Sequence, residues 1–80
     1  MTRRLYRPRP VAVSTHPGGD PAAVGRAEVE AVREQWLVED RWWTGRQLRR
    51  RYFELITGDG RDIVVFCDLN SGRWYSQRGA

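Results

Sequence analysis

Few side chains in this sequence have the types and neighbours that chemistry needs. Acid–base or nucleophilic catalysis requires a donor or acceptor held beside its partner. His16 is the only histidine, and it sits in a Pro/Gly-rich loop with no acid placed to orient it. Cys67 is the only cysteine and falls in the middle of an apolar run, where a thiol packs as a small hydrophobe. A structural zinc wants about four Cys or His ligands, and these two residues are all the chain has. Glu39-Asp40 ends a charged stretch, and Asp59 and Asp62 flank a turn, so solvation and turn chemistry account for both carboxylate pairs. Gly58-Asp59-Gly60 lacks the lysine and following helix of a phosphate-binding loop. The expectation is a chain without catalytic residues, metal or cofactor.

The positive signal is Arg41-Trp42-Trp43-Thr44-Gly45-Arg46 running into Arg49-Arg50-Arg51. Arginines neutralise phosphates and exposed aromatic faces stack bases. Trp and Arg are equally the residues that dominate protein interfaces. A structural reading stands beside both: Trp42 and Trp43 as core plugs, and Arg49–Arg51 paired with Glu28, Glu30 or Glu34 on a neighbouring strand. The candidate binding residues are therefore Arg41, Trp42, Trp43, Arg46, Arg49 and Arg51.

These residues need a scaffold, and 80 residues make one domain. Such a chain buries only roughly 60–65% of its unfolded surface. Four Trp, three Tyr and two Phe supply the bulk that its core needs. The formal net charge is +4, and all fourteen basic residues are Arg. Arg forks grip phosphates and carboxylates, although a GC-rich genome would give the same bias. One cysteine allows no internal disulfide. No apolar run approaches the roughly 20 residues of a membrane span, and no apolar stretch follows the basic start as a signal peptide would require. A cytoplasmic protein without membrane association is expected.

All four prolines lie before residue 22, and Thr15–Pro21 reads as loop. The preceding Val11-Ala12-Val13 has the pattern of a short edge strand. Residues 1–24 thus form an N-terminal arm, a short strand and a Pro/Gly loop, and 25–80 a compact β domain. The segment 26–40 has helical composition but strand-like alternation; strand is preferred, with a helix over 26–39 as the alternative. Residues 51–57, 63–67 and 73–77 are β-prone and joined by turns at 58–60 and 68–72. The result is an all-β fold, a small curled antiparallel sheet or barrel-like meander of about five strands. Its expected core is Trp36, Phe53, Leu55, Ile63, Val65 and Trp74.

Three stretches carry a resemblance over roughly residues 25–78. They are Val29-Glu30-Ala31-Val32 through Trp36 to Asp40-Arg41-Trp42-Trp43, then Arg50-Arg51-Tyr52-Phe53-Glu54-Leu55, then Asp68-Leu69 through Ser71-Gly72-Arg73-Trp74-Tyr75. Together they resemble a small Trp/Arg-rich bacterial domain of unknown function. That domain occurs alone, and it is similar to the C-terminal piece of the inactive Y-family-polymerase-like subunit of the damage-induced mutasome. The resemblance implies an all-β unit without catalytic residues to carry over. It also implies an accessory role in DNA repair or translesion synthesis, with a protein of a DNA-damage or polymerase complex as partner. Direct single-stranded nucleic-acid binding through 41–51 is the alternative.

Overall fold

The computed structural model describes residues 7–41 and 47–78. Among them there is no helix. Seven strands run β1 (Arg9–Pro10), β2 (Val13–Thr15), β3 (Pro21–Val24), β4 (Ala27–Arg41), β5 (Gln47–Thr57), β6 (Asp62–Asp68) and β7 (Arg73–Arg78). They make one antiparallel sheet in the order β1-β7-β6-β5-β4-β3-β2. The all-β class and curled sheet expected from the sequence are present, and 27–41 is strand, not helix. The strand count rises from about five to seven because β1 and β3 contain Pro10 and Pro21. Pro21 read as loop, and Pro10 as the start of an edge strand over Val11-Ala12-Val13, which instead breaks at Val11-Ala12 into β1 and β2; proline is tolerated at strand starts and sheet edges.

The first two strands lie at opposite ends of the sheet although only Val11 and Ala12 separate them. The Val11 amide donates to the Trp74 carbonyl on one side (3.2 Å), and the Gly25 amide donates to the Ala12 carbonyl on the other (2.7 Å). The sheet must therefore curl into a half-barrel. Turns between the longer strands are local. Gly25, at φ 59°, begins the two-residue link from β3 to β4, the glycine position of a type II′ hairpin. The β5–β6 link is longer than an Asp-Gly hairpin: Gly60 takes φ 86°, while no non-glycine residue among those described has positive φ.

The concave side holds Val24, Phe53, Leu55, Ile63 and Val65, with Val11, Val13, Val29 and Trp74 packed against them. In β5 and β6 every second residue points inward, as strand geometry requires. Thr57, fully buried, is satisfied: its hydroxyl donates to Asp59 and accepts from the Arg61 amide (3.2 Å). Trp36 departs from the expected core. It stands on the convex side, 39% exposed, because it pairs with Tyr52, one residue off the inward register of Phe53.

Phe53 is 1% exposed and rests on Trp74 with ring centroids 5.6 Å apart. Truncating it to alanine should cost about 3–5 kcal/mol. Trp36→Ala, losing one stacked partner and little burial, should cost about 1 kcal/mol. Urea melts of both variants check the register; equal losses would refute it.

Candidate functional site

The β4–β5 hairpin is the longest pair in the sheet. Its register runs from Trp36↔Tyr52 through Leu37↔Arg51, Val38↔Arg50 and Glu39↔Arg49 to Arg41↔Gln47. β6 pairs with β5 only as far as Arg50↔Asp68; beyond it the Leu69 amide donates to the Arg49 carbonyl (2.9 Å) and Asn70 Nδ2 donates to the Gln47 carbonyl (2.8 Å). The distal part of β5 is therefore flanked by the turn after β6 and not by a strand. The radius of gyration, 13.3 Å, exceeds the about 11.6 Å of a compact chain this long.

Trp42, Trp43 and Arg46 lie outside the described residues, and Arg41 is described only as the last residue of β4. The register puts Arg49 and Arg51 on the concave side and Arg50 on the convex side. Their partners differ from those expected. Arg49 Nε donates to Glu39 Oε2 across the hairpin (3.1 Å), not to Glu28, Glu30 or Glu34, because Glu39 is its directly opposed residue. Such an exposed pair contributes about 0.2–1 kcal/mol. Arg50 lays its guanidinium 4.5 Å above the Phe66 ring and donates from Nη1 to the Tyr52 hydroxyl (3.2 Å). Its buried Nε has no hydrogen-bond partner among the described residues. Arg51 is exposed and has no ion pair among the described residues.

A row of aromatics crosses the convex side of four strands. Trp36 stacks on Tyr52 (5.3 Å, 7° between planes), Tyr52 meets Phe66 (4.9 Å), and Phe66 stacks on Tyr75 (5.3 Å). Each is directly opposed to the next in register. Phe66 is buried to 1%, roofed by Arg50 and flanked by the two tyrosines. The sequence signal for this row was present: Tyr52, Phe66 and Tyr75 each adjoin an inward residue, giving these strands two apolar sides.

The exposed large hydrophobics among the described residues are Val32 (36%), Trp36 (39%) and Leu37 (47%). All three belong to β4. β3 pairs with β4 only at Ala27 and Glu28. Among the described residues nothing pairs with β4 from Val29 to Arg41 on the side away from β5. The free edge and the exposed apolar residues thus coincide on one strand. Neither Val32 nor Leu37 was among the candidate residues.

Two hollows open elsewhere. One, of about 810 Å³, lies at the turn end and includes Val24, Arg26, Glu28, Asp59 and Arg61. There Asp59 is held below the usual carboxylate range by the Thr57 hydroxyl and then by Arg61. The other, of about 400 Å³, lies between the Thr15–Asp20 loop and Arg51, Phe53, Cys67 and Trp74. His16 is exposed beside it in sequence, on a loop closed by its amide bonding the Asp20 carbonyl (2.8 Å).

Burial, with Asp68 adding to it and Arg51 opposing, pushes the Cys67 thiol up. A raised thiol pKa favours folding below the unfolded value, an advantage lost as pH rises through the folded one. It also leaves little thiolate at neutral pH. Iodoacetamide should therefore alkylate Cys67 more slowly in the native chain than in denaturant at the same pH, with the difference shrinking as pH rises; mass spectrometry reads the rate, and equal rates at neutral pH would refute it. The reading of this surface rests on its own geometry, since the chain matches no protein-family model, no curated protein and no solved structure.

Proposed function

We propose that this chain is a non-catalytic interaction module that docks a protein partner, as an accessory of DNA repair or translesion synthesis. One observation supports docking above the rest: Val32, Trp36 and Leu37, the exposed large hydrophobics among the described residues, share the strand whose outer edge nothing described pairs with beyond Glu28. Unpaired strand edges template pairing with other chains, and native proteins that have no use for one usually blunt it. The repair setting has different support, namely the resemblance of residues 25–78 to the mutasome-associated domain.

Single-strand nucleic-acid binding remains the second reading, favoured by Arg49 and Arg51 sharing one side of the hairpin by register. Two facts weigh against it. Arg49 is engaged by Glu39, and Arg50 by Phe66 and Tyr52. Phe66 and the half-buried Tyr52 and Tyr75 offer bases no open ring faces comparable to Trp36.

Capture from lysates of DNA-damaged cells, with and without nuclease, separates the readings. The expected result is a discrete repair or polymerase protein retained after nuclease and lost with Leu37→Ser. Retention abolished by nuclease would overturn protein docking. In parallel, labelled oligonucleotides should bind weakly, with a log–log salt slope no steeper than roughly −2 to −3; tight binding lost in an Arg46/Arg49/Arg51→Ala triple variant would establish the alternative.

A further inference from the structure

The β4 edge has a chemistry that selects its occupant. From Glu34 to Arg41 the pairing with β5 advances one residue at a time, without the irregularities at Val29/Ala31 and Val32/Glu34. This regular stretch reads Glu34-Gln35-Trp36-Leu37-Val38-Glu39-Asp40: acids at the two ends and three apolar residues between them. On the convex side stand Glu34, Trp36, Val38 and Asp40; on the concave side Gln35, Leu37 and Glu39. Glu34 and Asp40 have no ion pair among the described residues. Residues 28–40 as a whole hold five acids against one arginine, Arg33, in a chain of net charge +4. Arg33 is itself turned to Glu54 (3.9 Å) and Asp62 (3.2 Å).

Acids by themselves would guard an edge. Three apolar residues set between them invite a strand, and the acids then decide which strand. A second copy is disfavoured: antiparallel self-pairing centred on Leu37 opposes Glu34 to Asp40 of the other copy, and like charges directly opposite destabilise a sheet. A strand with basic residues opposite Glu34 and Asp40 and apolar residues opposite Trp36, Leu37 and Val38 satisfies every position.

We propose that the free edge of β4 between Glu34 and Asp40 takes up, by β-augmentation, an extended protein segment of the pattern basic, any, apolar, apolar, apolar, any, basic. This rests on the docking reading and names its partner chemistry. The pattern is symmetric, so it holds for either strand direction. Backbone hydrogen bonds supply the attachment, and the alternating side chains supply the selection.

The test is fluorescence anisotropy of the full chain with a labelled peptide, Arg-Thr-Val-Ile-Val-Thr-Arg, at low salt. Controls are the same peptide with Glu for both Arg, and two versions N-methylated at alternate amides. The expected result is saturable binding of the basic peptide and of one methylated version only. A Glu34→Lys/Asp40→Lys variant, confirmed folded by its circular dichroism melt, should bind the basic peptide about tenfold more weakly and gain affinity for the acidic one. Equal binding of acidic and basic peptides would overturn the proposal. So would binding by both methylated peptides, no binding at all, or sedimentation showing the wild type dimerised through β4. If the peptide arm fails while nuclease-resistant capture persists, docking stands and only the edge assignment falls; loss of capture as well removes both.

Discussion

The short run Val11-Ala12 is the constraint on which this fold depends. It ties β1, at one end of the strand order, to β2, at the other. In a flat seven-stranded sheet the outer strands would stand about 29 Å apart, six spacings of about 4.8 Å. The chain from Pro10 to Val13 spans at most about 11 Å. Flatness is therefore excluded, and the sheet closes round its own apolar side. With no helix among the described residues, that closure is what removes Phe53, Leu55, Ile63 and Val65 from water. Val11 and Val13 belong to the linking segment and also pack on that core, so the tie and the core stabilise each other.

Closure by so short a tie reaches only one end of the sheet. β3, four residues long, covers β4 at Ala27 and Glu28 alone, while β4 continues to Arg41. The rest of β4 has a paired side toward β5 and an open side. The irregularities at Val29/Ala31 and Val32/Glu34 fall at the start of the open part. Such bulges bend a strand and raise its twist where they occur. Exposure of Trp36 and Leu37 thus follows from the topology rather than from any local preference for solvent.

Much of this was legible in the sequence. Alternation in 51–57 and 63–67 identified the inward residues of β5 and β6, because a half-buried strand imposes period two. The identity of 26–40 was harder, since Ala, Glu, Arg and Gln favour helix and only pairing with β5 decides the matter. The side occupied by Trp36 was not legible: two irregularities precede it in β4, and each shifts which residues face inward. Glu39, not an acid nearer the start of the strand, engages Arg49 because the hairpin register sets the two directly opposite. The hairpin from Asp59 and Gly60 was visible, but its four-residue form was not, because Thr57, Asp59 and Arg61 shape it through side-chain bonds.

The arginine-rich composition also changes meaning once the two sides of the sheet are distinguished. A single concave layer cannot take every aromatic ring, so Tyr52, Phe66 and Tyr75 form a second layer on the convex side. That layer has no covering element among the described residues, and Arg50 serves as part of its roof: its guanidinium covers Phe66 by cation–π contact, while its stem adds apolar cover. A lysine, a compact and strongly hydrated ammonium, would fit that position less well. Arg33 and Arg49 meanwhile offset carboxylates in the sheet. Arginine density between residues 41 and 51 therefore does not count phosphate contacts, because part of it is structural. The acids of β4 are the opposite case, since Glu34 and Asp40 balance nothing among the described residues. In a basic chain, it is this acidic, half-apolar edge whose charges ask for an explanation outside the fold.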